Sequence, residues 1–129
     1  MISNAEIKRV KALQSKKFRD ESGLFVVEGE KMVAEALESG LQVEAVYRRD
    51  EIGEQAMARI SSLNSPSPVL AVVRQAAAPD IDEIRSFVRS CGRDMLAIAI
   101  DEIRDPGNLG TIIRLADWYG IDAVFCSAG

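Results

Sequence analysis

Apolar residues along this chain switch between helical and strand spacing, and the switches mark its elements. Ile7, Val10 and Leu13 follow Ser3-x-x-Glu6, a pattern in which serine caps the first helical turn and glutamate returns the bond; together they predict a helix over 4–18. Arg19 to Gly23 is expected to break it. Leu24 to Val27 is a short apolar strand, and Glu28-Gly29 turns into a helix ending at Ser39, with Met32, Val33, Ala36 and Leu37 facing inward and Gly40 as the stop. Val43 to Tyr47 predicts a second strand and Ile52 to Leu63 an amphipathic helix. The segment Asn64-Ser65-Pro66-Ser67-Pro68 cannot be helical, and Val69 to Val73 predicts a third strand.

The pattern then changes register. Residues 1–74 read as one small α/β domain with a basic first helix, and 75–93 as a linker followed by a helix over 80–90 that buries Ile81, Ile84, Phe87 and Val88. Residues 94–129 read as a β-loop-α-β unit. Its first strand, Met95 to Ile100, is apolar without interruption, as in a parallel sheet covered on both faces; a helix over 111–119 and a strand over 121–126 follow. The fold class is therefore α/β. Two parallel strands and one helix are too few to cover such a sheet, so the reading expects an incomplete second domain, with Ser127-Ala128-Gly129 at the carboxyl end of a strand.

Composition narrows the chemistry. The chain has 129 residues, 47% hydrophobic and 28% charged, as in ordinary globular proteins. No run of about eighteen apolar residues occurs and the N-terminus lacks the apolar core of a secretion signal, so a cytoplasmic protein with no membrane partner is expected. There is no histidine, which removes the commonest general base. With only Cys91 and Cys126 as soft ligands no metal is expected, and both thiols are expected to be buried or inert. Net charge is −4, but residues 1–19 set Lys8, Arg9, Lys11, Lys16, Lys17 and Arg19 against Glu6 alone, so this stretch carries +5 and the other 110 residues −9. Such an arm is either a solvated helix face or a local contact for RNA phosphates.

The stretch DPGNLGTIIR, residues 105–114, carries the most chemistry. Asp105-Pro106-Gly107-Asn108 suits a turn with Gly107 at positive φ, and Asn108 or Thr111 suits a helix cap, so one reading is a tight connection. The other is a phosphate or ribose site, made by free helix-start amides, an approach opened by glycine, the Asn108 amide and the Arg114 guanidinium. It is neither a Walker loop nor a dinucleotide fingerprint. Asp101, Glu102 and Asp105 read as loop structure that could pair with Arg104. Trp118 and Tyr119 read as core or dimer contacts rather than base-stacking platforms.

Two stretches resemble the SpoU/TrmH family of RNA ribose methyltransferases. LAIAIDEIRDPGNLGTIIRLADWYGIDAVF is similar to the family's first motif, with Asn108, Gly110 and Arg114 in its N-x-G-x-x-x-R places. KKFRDESGLFVVEGEKMVAEAL is similar to its small substrate-binding domain through Lys17, Arg19, Gly23, Phe25, Glu28, Gly29 and Val33. The resemblance implies a dimeric enzyme, knotted in its catalytic domain, that moves a methyl group from S-adenosylmethionine to a 2′-hydroxyl of tRNA or rRNA. It implies that Arg114 and Asn108 are catalytic, that Gly110 is the motif glycine, and that the cofactor-binding motifs lie outside these residues, so that this chain alone is inactive. In that family the matching arginine is proposed to take the hydroxyl proton. A non-catalytic RNA-binding module and a nucleotide-binding α/β protein remain as alternatives.

Overall fold

The structure, a computed structural model, describes residues 1–127; Ala128 and Gly129, expected at a strand end, lie outside the described residues. The chain forms two compact units, Met1–Ala77 and Ala78–Gly129.

The first unit is organised by its last strand. Elements α1 (Asn4–Ala12), α2 (Lys16–Ser22), β1 (Leu24–Glu28), α3 (Glu30–Glu38), β2 (Val43–Arg48), α4 (Arg49–Ile52) and α5 (Glu54–Ile60) precede β3 (Val69–Arg74). The sheet order is β1-β3-β2, with β3 antiparallel to both neighbours. Being central, β3 is covered on both faces, and residues Val69 to Val73 are all buried. Period-two alternation divides them: Leu70 and Val72 join Val10, Tyr47, Met57 and Ile60 on one face, while Val69, Ala71 and Val73 meet Val33 and Ala36 of α3 on the other.

Several boundaries differ from the sequence reading. The expected helix over 4–18 is two helices, α1 and α2, and the expected break at Arg19–Ser22 is instead helical. No proline or glycine separates them. The break is held by Arg19, whose Nη1 donates to the carbonyls of Leu13 at 2.9 Å and Gln14 at 2.8 Å and so satisfies the carboxyl end of α1. Gly23, at φ 69°, ends α2 in the left-handed region. The expected helix over 52–63 is interrupted at Gly53, where φ is 88°. The Ser3–Glu6 box forms as expected, each side chain bonding the other's backbone amide. On α3 only Val33 and Ala36 are buried; Met32 and Leu37 are about half exposed, at 50% and 54%, because the sheet covers only one narrow stripe of the helix.

The second unit contains α6 (Ile81–Ser90), β4 (Ala97–Ile100), α7 (Pro106–Trp118) and β5 (Ala123–Cys126). Asp80 caps α6. Strands β4 and β5 pair in parallel, Ala97 opposite Ala123 through Ile100 opposite Cys126. The face of α6 expected to be buried is not: Ile81, Phe87 and Val88 are exposed and Ile84 is half-buried. Along β4, exposed and half-buried residues alternate, so the sheet is not covered on both faces by the described residues. Cys91 is half-buried and Cys126 is exposed, so of the two expectations, buried or inert, the first does not hold. Trp118 and Tyr119, at 83% and 73%, are not core in this chain.

Leu70→Ala empties a fully enclosed position on β3 and is expected to lower the unfolding free energy of the first unit by about 2–5 kcal/mol. Phe87→Ala on α6 is expected to cost about 0.5 kcal/mol or less. Urea denaturation of the full chain measures both, and equal losses would contradict this placement of the core.

Candidate functional site

The parallel pair β4/β5 and helix α7 converge where the strands end. Beyond Ile100 the chain turns through Asp101 and Glu102, and Glu102 sits at φ 53°, a region that side chains other than glycine occupy at a cost. Two bonds hold that turn against the end of β5: the Ser127 amide donates to the Ile100 carbonyl at 2.9 Å, and the Glu102 amide donates to Ser127 Oγ at 2.9 Å.

Residues 106–110 are then helix, not loop. Asp105 is the N-cap and accepts from the Gly107 amide at 2.8 Å, while Pro106 occupies the first helical position, where its missing N–H costs nothing. Gly107 is not at positive φ, which corrects the turn expected there; a side chain at 107 would come within 3.2 Å of the Asp105 carboxylate that makes the cap. Thr111, expected as a possible cap, donates its hydroxyl to the Gly107 carbonyl at 3.0 Å. An Asp-Pro pair before an apolar helix is a start signal visible in the sequence, and it outweighs the glycines.

The helix start changes how the candidate residues share space. An open cleft of about 460 Å³ is lined by Asp101, Glu102, Arg104, Asn108, Thr111 and Ile112, among others. Asn108, Thr111 and Ile112 sit at i, i+3 and i+4 and form one wall. Arg114 is exposed, in the third turn of α7, and does not line the cleft. It stands four residues beyond Gly110 and so on that residue's side of the helix, but six beyond Asn108 and therefore well around from it. Asn108 and Arg114 are not brought together within this chain. Arg114 also lies in the third turn, too far along the helix to feel its amino-terminal dipole strongly. Among the described residues neither Arg114 nor Arg104 makes a salt bridge, so the expected pairing of Arg104 with the acids does not form.

The far ends of the same strands are pinned by charge. Asp122 accepts from the Leu96 amide at 2.9 Å and from the Arg93 guanidinium, and its own amide donates to the Leu96 carbonyl at 2.9 Å. The guanidinium first and the backbone amide second hold the Asp122 carboxyl below its ordinary value, and the same pairing raises Arg93.

In the first unit the predicted RNA contacts divide. Lys8, Arg9 and Lys11 are exposed on α1, with Lys8 and Lys11 one turn apart on the same side. Lys16 and Lys17 reach Asp20 and Glu21 on their own helix at 2.9 and 4.0 Å. Arg19 is half-buried and committed in part to the end of α1. Glu28, read as part of a turn, has a larger structural role: its carboxylate accepts from both Ser61 and Ser62, including the Ser62 amide at 3.1 Å and hydroxyl at 2.7 Å. No spacing rule in the sequence signals that bond across 33 residues.

The first unit is a sheet domain with cationic amino-terminal helices, and the second is a parallel β-α-β unit whose Asn108, Gly110 and Arg114 keep the spacing that resembles the SpoU/TrmH motif. Residues 4–75 match the MRM3-like substrate binding domain, and the chain belongs to that family. It is similar to the 23S rRNA (guanosine(2553)-2′-O)-methyltransferase RlmP of Bacillus subtilis, 31% identical across 98% of this chain and 52% of the relative. It is also similar to the mitochondrial rRNA methyltransferase 3 of Xenopus tropicalis, 29% identical across 95% of this chain and 33% of that protein. Among solved structures, the AdoMet-bound rRNA methyltransferase of Sinorhizobium meliloti superposes with a TM-score of 0.75 at 29% identity, covering 100% of this chain and 53% of that one. The SpoU methyltransferase AviRb of Streptomyces viridochromogenes, in complex with AdoMet, does so with a TM-score of 0.72 at 26% identity, covering 96% and 53%. The chain thus spans about half the length of the bacterial relatives it matches.

A carboxyl held low by its partners stabilises the fold above the ordinary aspartate range and loses that contribution as pH falls through the lowered value. Asp122→Asn is therefore expected to lower the melting temperature of the full chain at pH 7, with the two proteins converging below about pH 3.9. A gap that stays constant from neutral to acid pH would contradict the pairing.

Proposed function

We propose that the complete protein methylates a ribose 2′-hydroxyl of ribosomal or transfer RNA, using S-adenosylmethionine, and that this chain supplies the RNA-binding domain and the acceptor side of the reaction. The observation that carries the reading is the order of parts in one chain: a match to a substrate binding domain over 4–75, then a helix starting at the carboxyl ends of parallel strands with Asn108, Gly110 and Arg114 on it. Brought to this chain, the relatives' printed activities and the AdoMet in two solved neighbours support the same reading.

The residues present fit the acceptor better than the donor. The cleft at the strand ends is lined by Ile100, Ile103 and Ile112 as well as by Asp101, Glu102, Arg104, Asn108 and Thr111, and it is too open to enclose an adenine ring by itself. No step is therefore assigned here to groups that bind the cofactor, which would supply the methyl group. What this chain contributes is position. An oxygen nucleophile must be aligned before attack, and alignment accounts for much of the acceleration in such reactions. Asn108, on the wall of the cleft, offers its amide to a ribose oxygen. A guanidinium keeps its proton at neutral pH, which makes Arg114 a poor base and a good bidentate partner for phosphate. Because Arg114 lies outside the cleft that Asn108 walls, its part is to clamp the neighbouring phosphate and so orient the ribose. Exposed Lys8, Arg9 and Lys11 hold the RNA backbone, with Lys16, Lys17 and Arg19 adding to that field. The complete protein acts as a cytoplasmic homodimer, and the exposed Trp118 and Tyr119 are available to a second copy.

Arg114→Lys in the complete protein keeps the charge and removes the fork. It is expected to lower kcat/KM by roughly 100-fold with unchanged cofactor affinity, measured by transfer of tritiated methyl groups to RNA. Near-normal turnover would refute the clamp. Lys8→Ala and Lys11→Ala are each expected to reduce the slope of log affinity against log salt by about 0.7 for single-stranded RNA, while turnover at saturating RNA stays the same.

A further inference from the structure

The interruption between α1 and α2 opens a cavity of about 370 Å³ in the first unit, within the range of roughly 300–1,000 Å³ typical of small-molecule sites. Its apolar wall is Val10, Leu13, Val26 and Ile60; its polar groups are Arg19, Gln14, Glu28 and Ser62. Those polar groups are held by one another. Arg19 bonds the Gln14 carbonyl at 2.8 Å, and the Gln14 side-chain amide donates to the Ser61 carbonyl at 3.3 Å. Ser61 and Ser62 in turn donate to Glu28. The chain of bonds runs from α2 through the helix break to the end of α5 and back to β1.

This network leaves capacity unused. Only Nη1 of Arg19 has partners among the described residues, so its Nε and Nη2 protons are free to donate. One Glu28 oxygen receives two bonds and the other a single one, so a lone pair remains. A fixed cation and a fixed carboxylate therefore border an apolar space, with donors and an acceptor already in place before any ligand arrives. The pocket opens to solvent at Gln14 and Ser62, and its size and mixed lining suit a small flat ligand.

The occupant is identified by chemistry. A nucleobase is a flat ring with apolar faces and an edge that both donates and accepts, and single-stranded RNA is recognised by displaying such edges to a protein. The helices that form one side of the cavity also carry Lys8, Arg9, Lys11, Lys16 and Lys17, which suit the phosphates on either side of the inserted base. We propose that this cavity takes one unpaired nucleobase of the RNA, read by Arg19 and Glu28 and packed against Val26 and Leu13. The proposal rests on the reading of residues 1–77 as an RNA-binding unit, and it adds sequence or shape selection to what would otherwise be attraction to phosphate.

Gln14 is exposed at the rim, so Gln14→Trp blocks the opening from outside without replacing a core residue. The full chain is titrated with a short single-stranded RNA carrying 2-aminopurine, with the same RNA made abasic at that position, and with a duplex of equal length. The wild type is expected to change the 2-aminopurine fluorescence and to bind the abasic strand about 10-fold more weakly. Gln14→Trp is expected to remove the penalty for the abasic strand while leaving the circular dichroism spectrum unchanged. Arg19→Lys supplies a second variant that keeps the charge and is expected to lose most of the preference for the intact strand. Salt-sensitive RNA binding with no fluorescence change and no abasic penalty in the wild type would overturn the cavity while leaving the RNA-binding reading intact. Absence of RNA binding in the wild type would overturn both.

Discussion

Five successive apolar side chains, Val69 to Val73, have to leave water on both faces of one strand, and the architecture of the first unit follows from that requirement. Burial of this kind contributes on the order of 1.5–3 kcal/mol for each large aliphatic side chain, and only a central strand collects it on two sides. Strands β1 and β2 take the two edges. Helix α3 covers one face, and α1 and α5 cover the other. Because α1 and α5 are pulled to the same face, the start of α2, the end of α5 and β1 meet along one border, where Arg19, Gln14, Ser61, Ser62 and Glu28 bond one another. The exposed cations of α1 lie outside the apolar stripe of Ile7 and Val10 that anchors it.

The second unit is ordered by polar pinning more than by burial. Only Ala116 of α7 is buried, and the apolar faces of α6 and β4 remain accessible among the described residues. Asp122 with Arg93 and Leu96 fixes one end of the strand pair, and Ser127 with Ile100 and Glu102 fixes the other. Asp105 then sets where α7 begins. That cap decides which residues face the cleft: with the helix starting at Pro106, Asn108 belongs to the wall and Arg114 does not.

Element types were legible from the sequence wherever a local rule governs them. The Ser3–Glu6 box, the strands at 24–28, 43–48 and 69–74, and the parallel β-α-β pattern all follow from spacing and propensity that act over a few residues. Three things were not. The break between α1 and α2 depends on a bond that Arg19 makes back to α1, which no breaker residue announces. Burial on α3 and α6 depends on how much sheet is available, and period alone cannot measure that. Spacing puts the start of α7 at Thr111, because Gly107-Asn108 signals a turn, whereas the Asp105 cap starts the helix at Pro106. The candidate residues at 108, 110 and 114 were found by motif spacing; that Asn108 and Arg114 face different ways needed the helix boundary.

On the proposed reading, the first unit attracts and selects RNA and the second offers an aligned ribose to a methyl donor. The most direct measurement follows the product. Ribosomal RNA is incubated with tritiated S-adenosylmethionine and a protein extended to the length of the bacterial relatives, and then hydrolysed in alkali, which cannot cut beside a methylated 2′-oxygen. Label recovered in alkali-resistant dinucleotides, and lost with Arg114→Lys, is the predicted result. Label recovered on bases in mononucleotides, or no transfer to RNA at all, would contradict it.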